Sequence, residues 1–287
     1  MTVVAELEPR VVAAGDLVGG RYRLRGLLGR GGMGRVWLGY DELLARPVAV
    51  KQVLLGTRES EDAREGALAE ARALARVDHP GVVRVHDLVE DGGDPWIVME
   101  LLSGRTLADR IAADGPLPPA QVRRIALELL DALRAVHAAG LVHCDVKPAN
   151  VQLCDDGRVV LTDFGIASAD EDATMPGGGF AGSPAYLSPE RARGDAARPE
   201  SDLFSLGATL FAAAEGTSPF GRGDPFSTLV AVVEEAPGPF RDAGPLRPVI
   251  EGLLAKKPAD RLTVQQARRE LRRRAAATCS ATLRASA

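Results

Sequence analysis

The chain changes character once, near residue 102, and this constrains its fold more than any other feature. From Arg21 to about Leu102 it is a series of short β-branched or aromatic runs, RYRLRGLLG, GRVWLGYDE, RPVAVKQVLL, VVRVHDLVED and PWIVMELL, broken by Gly, Asp and Pro. One segment interrupts them: from about Ser60 to Arg76 the spacing of Ala67, Glu70, Ala71 and Leu74 predicts a helix, and DHPG supplies its stop. After SGRTL, Val122, Ile125, Leu129, Leu133 and Val136 form an amphipathic helical stripe between PLPPA and AAG. SDLFSLGATLFAAAEG is apolar nearly all round, as a central, buried helix is. A small strand-rich part therefore precedes a larger helical part, with no internal repeat and with TMPGGGF as a flexible loop.

A chain of 287 residues, 46% hydrophobic and 26% charged, can bury a sizeable core. Its formal net charge of -4 gives no electrostatic reason to expect nucleic acid as a partner. The three cysteines, Cys144, Cys154 and Cys279, show neither CxxC nor Cys/His ligand spacing. Neither a disulfide framework nor a zinc site is expected, and a reducing cytoplasm fits. MTVVAELEPR has no basic region followed by an apolar one, and no run of about 18 apolar residues occurs, so no membrane segment is expected. The basic end, ARRELRRRAAATCSATLRASA, suits either a linker or a frayed tail.

The chemistry-bearing motifs come in a fixed order. Gly29, Gly31 and Gly34 make a G-x-G-x-x-G pattern, which lets backbone N–H groups approach phosphate oxygens. In a dinucleotide-binding domain such glycines open a helix, but here Val36, Leu38 and Tyr40 alternate as a strand, so a β-hairpin lid is expected. VAVK follows, with Lys51 on the next strand and Glu70 on the helix 19 residues later. A strand lysine can neutralise nucleotide α- and β-phosphates while a helical carboxylate holds it. The plain alternative, a surface lysine and a solvated glutamate, is weakened by the alternating apolar residues before Lys51 and the alanines around Glu70.

With LVHCDVKPAN and LTDFG added to these motifs, the chain from about Tyr22 to Arg274 resembles the eukaryotic-like Ser/Thr protein kinases of bacteria, of the kind common in actinobacteria. The resemblance implies an α+β, bilobal kinase fold: residues 21–102 as a small antiparallel β-rich lobe with one key helix and the hinge, and residues 103–275 as a larger, mostly helical lobe. Residues 1–20 become a flexible extension and 276–287 a tail. It implies ATP as substrate and magnesium, with manganese able to substitute, as cofactor. Leu28, Gly29, Gly31, Gly34, Val36, Ala49 and Lys51 would line the nucleotide site, with Met99 as gatekeeper, Glu100 and Leu102 bonding the adenine edge through their backbones, and Gln152 beneath the ring. Asp145 would orient and accept the substrate hydroxyl proton, Lys147 would stabilise the transferred group, and Asn150 and Asp163 would hold the metal. Ser183 would contact Asp145 and Lys147, Glu190 would pair with Arg261, and Asp202 would brace the catalytic loop. Lys147 also implies Ser/Thr acceptors, whereas Thr106 and Ala149 make a strong preference for basic peptides doubtful.

Three residues or segments depart from the family pattern. Cys144 replaces the arginine that grips a phosphorylated activation segment, which leaves the chemistry intact and removes the switch. The segment IASADEDATMPGGGFAGS offers Thr174 beside Asp170, Glu171 and Asp172, where a phosphate would meet repulsion. Gln152 stands where an apolar residue forms the adenine floor, a loss of about 1 kcal/mol unless the amide finds partners. The expected activity is a Ser/Thr protein kinase independent of activation-loop phosphorylation. The rival is a pseudokinase acting as a nucleotide-binding scaffold, and a small-molecule phosphotransferase is a third reading.

Overall fold

A computed structural model describes residues 12–31, 34–53, 61–164 and 184–273. The chain divides into two compact units, one of residues 1–76 and 84–102, the other of residues 77–83 and 103–287.

The first unit is built on a six-stranded antiparallel sheet in the order β1-β2-β3-β4-β6-β5. Its strands are β1 Leu17–Val18, β2 Tyr22–Gly31, β3 Gly34–Asp41, β4 Arg46–Val53, β5 Val85–Asp91 and β6 Asp94–Glu100, with one helix, α1 Glu61–Leu74. Glycine paired with glycine, Gly31 against Gly34, closes the β2–β3 hairpin, so the glycine motif lies in a hairpin as the alternation of β3 predicts. Residues directly opposite in an antiparallel pair share a face, and neighbours along a strand take opposite faces. One face therefore carries Trp37, Val48, Val50, Trp96 and Val98, which cluster with Val12, Val18, Tyr22 and Leu24 as a buried core. The opposite face carries Val36, Leu38, Ala49, Lys51, Ile97 and Met99.

Residues 12–20 do not behave as the flexible extension expected of them. Val12 and Val18 are buried in that core, β1 pairs with β2, and the Gly15 N–H donates to the Leu24 carbonyl at 2.8 Å. Apolar burial of two valines and a strand pairing hold the segment, and neither is visible in its short, mixed sequence. Residues 276–287 lie outside the described residues.

The second unit is mostly helical: α2 Leu107–Asp114, α3 Pro119–Ala138, α4 Pro189–Ala192, α5 Pro199–Glu215, α6 Pro225–Glu234, α7 Arg247–Leu253 and a helix over residues 264–273. A small antiparallel sheet joins β7 Arg105–Thr106, β8 Val151–Leu153 and β9 Val159–Leu161. Val122, Ile125, Leu129, Leu133 and Val136, the stripe read from the sequence, are fully buried on α3. Residues 201–214 of α5 are buried without exception, as its all-round apolarity requires. Gly207 lets α7 approach α5 closely: a Cβ there would lie 2.9 Å from the Leu253 Cβ, which is too close for a side chain. Among the described residues no helix is long and apolar enough to cross a membrane.

Candidate active site

In the first unit, strand register gathers the expected nucleotide-site residues. Val36 stands opposite Lys51, and Ala49 stands opposite Met99, so all four lie on the sheet face away from the tryptophan core. Lys51 is 6% exposed and buried among these apolar neighbours. Leu28 falls in the register shift between Leu27 and Gly29; it lies outside regular pairing, and its side chain is exposed. Burial pushes the Glu70 carboxyl up to about 7, against the opposing pull of the Lys51 ammonium. The Glu100 N–H donates to the Arg84 carbonyl at 2.9 Å, so the group that residue can offer a ligand edge is its carbonyl.

In the second unit, the segment from His143 to Asn150 is held by its own side chains. Lys147 Nζ lies 2.7 Å from Asp145 Oδ2, and Asn150 Nδ2 donates to both that oxygen and the Asp145 carbonyl at 2.8 Å. One carboxylate oxygen is thus fixed by an ammonium and an amide, while the Oδ1 end of Asn150 is turned away from these bonds. The His143 ring is fully buried and packs on Phe164 with centroids 4.3 Å apart. Its Nδ1 accepts from the Asp145 N–H at 3.2 Å, so Nε2 carries the proton and donates to the Thr162 carbonyl at 3.0 Å. Burial lowers its pKa despite the nearby Asp202 and Asp145, consistent with a neutral ring.

Cys144 has φ 68°, a left-handed conformation that costs a non-glycine residue roughly 1–2 kcal/mol. Asp202, from the buried α5, offsets that cost. Its Oδ1 accepts from the Cys144 N–H and its Oδ2 from the His143 N–H, each at 2.9 Å, and Oδ2 also meets His137 Nε2 at 2.8 Å. The expected brace from Asp202 is therefore present. Asp163, at the end of LTD, also has a positive φ, 53°. Gln152 donates from Nε2 to the Ser103 carbonyl at 2.8 Å, so its amide has the partner that softens the expected cost.

Glu190 and Arg261 are not two independent surface charges. They form a bidentate pair with both N···O distances 2.6 Å, and the Arg261 side chain is fully buried. Gly165, Thr174 and Ser183 lie outside the described residues.

Residues 22–271 match the model of the protein kinase domain. The chain belongs to the protein kinase domain family. This kinase domain is 39% identical over 267 residues to the serine/threonine-protein kinase PknA of Mycobacterium tuberculosis, covering 89% of the chain and 60% of that protein. It is 38% identical to the serine/threonine-protein kinase PksC of Streptomyces coelicolor, covering 92% of the chain and 50% of that protein. The crystal structure of a cysteine-to-alanine mutant of the Mycobacterium tuberculosis PknI kinase domain superposes with a TM-score of 0.71 at 27% identity, covering 93% of the chain and 100% of that domain. The chain thus spans between 40% and 63% of the length of these and other curated kinases that it matches.

Sequence reasoning missed two contacts around the loop that carries Asp145 in this kinase domain, one to the loop itself and one to the Asp202 that braces it. His137 joins Asp202 from the end of α3, and Arg191 donates from Nη1 to the Cys144 carbonyl at 2.8 Å. A histidine in the last turn of a predicted helix and a charged residue beside Glu190 were the signals available.

Proposed function

We propose that this domain transfers the γ-phosphoryl group of ATP to Ser and Thr hydroxyls of proteins, without needing a phosphorylated activation segment. The observation that carries this is the Asp145 carboxylate, anchored through Oδ2 by Lys147 and Asn150, on a loop that Asp202 fixes from the helical core. A carboxylate held this way can orient a hydroxyl and take its proton as the oxygen attacks, while the Lys147 ammonium offsets charge on the transferred group. Lys51 would hold the α- and β-phosphates, with Glu70 keeping it in place, and Val36, Ala49 and Met99 would pack against adenine.

Among the described residues, no cluster of three His, Cys, Asp or Glu side chains could hold a metal alone. Magnesium is usually bound by one or two protein oxygens together with substrate phosphates. Asp163 and the Oδ1 end of Asn150 would hold it, and it would supply neutralisation of the β- and γ-phosphate charge. A cytoplasmic location and protein substrates complete the reading.

The test is incubation with magnesium and radiolabelled ATP, with Lys51→Met and Asp145→Asn as controls. Wild type should label itself or a generic protein substrate, and both variants should lose more than about 100-fold in rate. Nucleotide binding by wild type without transfer would overturn the assignment in favour of a pseudokinase.

A further inference from the structure

The loop that carries Asp145 has no cationic side chain at position 144, yet its backbone there is clamped by a guanidinium. Arg191 lies on α4, directly after Glu190, and its Nη1 donates to the Cys144 carbonyl at 2.8 Å. We propose that Arg191 is a positioning residue for catalysis: from outside the loop it fixes the peptide linking Cys144 to Asp145. The inference rests on the kinase reading above.

One peptide plane joins the Arg191 contact to Asp145. The Cys144 carbonyl and the Asp145 N–H belong to the same planar unit, so holding the oxygen sets the direction of the amide and of the chain entering Asp145. That amide donates to His143 Nδ1 at 3.2 Å, while the Cys144 N–H donates to Asp202 Oδ1 at 2.9 Å. Both ends of a residue with φ 68° are thus secured, from α5 on one side and α4 on the other. Without Arg191, the plane loses its anchor on α4, and its rotation would draw the Asp145 carboxylate away from Lys147 and Asn150.

Arg191 is itself well placed to act as a fixed arm. The preceding Glu190 is locked by Arg261 at 2.6 Å and by the Ser201 hydroxyl at 2.8 Å, so α4 is tied to the interior of its own unit. A guanidinium mounted on that turn reaches the loop without any phosphate to order it.

The experiment compares wild type, Arg191→Met and Arg191→Lys, all treated with phosphatase. In Arg191→Met, kcat should fall about tenfold, equivalent to 1.36 kcal/mol of barrier, with the KM for ATP within about twofold and the melting temperature unchanged. Arg191→Lys, which keeps a donor, should recover part of the loss. Amide hydrogen exchange at Cys144 and Asp145 should be about tenfold faster in Arg191→Met than in wild type. A kcat within about twofold of wild type, or exchange at those two amides that does not change, would overturn the inference. So would a loss of kcat that follows a lowered melting temperature and is equal in the Lys and Met variants. An inactive wild type would count against the kinase reading alone, because the exchange measurement still decides the role of Arg191.

Discussion

Replacing Arg261 with methionine should cost the fold about 3 kcal/mol, because the change strands a buried carboxylate. Arg261 donates to both Glu190 oxygens at 2.6 Å, to the Glu200 and Ala255 carbonyls at 2.8 Å and to the Lys256 carbonyl at 3.1 Å. Burial alone would raise the Glu190 pKa, but hydrogen bonds from Arg261 and Ser201 and the guanidinium charge hold it at about 2, against an ordinary 4.5. At 1.36 kcal/mol per pKa unit that drop corresponds to about 3 kcal/mol, and breaking a buried ion pair by removing one partner costs a similar 3–5 kcal/mol. Urea denaturation at neutral pH would measure the loss, and a thermal melt should move by roughly 6–12 °C. Because the folded pKa lies below the unfolded one, the stabilisation is fully present above about pH 4.5 and is lost as pH falls towards 2. Arg261→Met should therefore lack the wild-type decline in stability over that acid range. Adding Glu190→Gln should recover part of the loss, because the double variant buries no unpaired charge. A loss below about 1 kcal/mol in Arg261→Met, or no recovery in the double variant, would refute the reasoning.

Gln152→Leu should improve ATP affinity only about twofold if residue 152 lies beneath adenine, since an apolar face replaces an amide whose cost the Ser103 carbonyl already reduces, while stability falls slightly as that carbonyl loses its donor. Unchanged or poorer affinity in a binding titration would rule out that place for the residue. Glu70, with its carboxyl raised to about 7, should give kcat/KM for ATP a limb that rises with pH through neutrality, and Glu70→Gln should remove it. The stability it contributes runs the other way: it is present below pH 4.5 and lost as pH rises through about 7. A wild-type rate profile that is flat between about pH 6 and 8 would sink this role for Glu70.

The chain's division into strands and helices was legible because it depends on spacing within short windows. The alternation Val36, Leu38, Tyr40 places the glycine motif in a hairpin, and the α3 stripe names the residues that the fold buries. Lys51 and Glu70 could likewise be placed on their strand and helix from local pattern alone. What could not be read was any contact set by the path of the chain. Arg191 and Cys144 lie 47 residues apart and His137 and Asp202 lie 65 apart, and no local periodicity couples such positions. Val12 and Val18 are of the same kind: two valines in a mixed stretch gain their burial only from strands that come later in the chain.

The alternating faces of β4 also bear on how this domain can tolerate insertions and deletions. Leu43 and Leu44, in the turn between β3 and β4, are exposed, and a changed loop length there leaves the strands in phase. One residue added between Val48 and Lys51 would reverse every side chain beyond it, driving the lysine ammonium towards Trp37 and Trp96 and a valine onto the opposite face. Length variation among related sequences should therefore collect at that turn and avoid the strand. For β4, staying in phase is a stricter requirement than the identity of most of its residues.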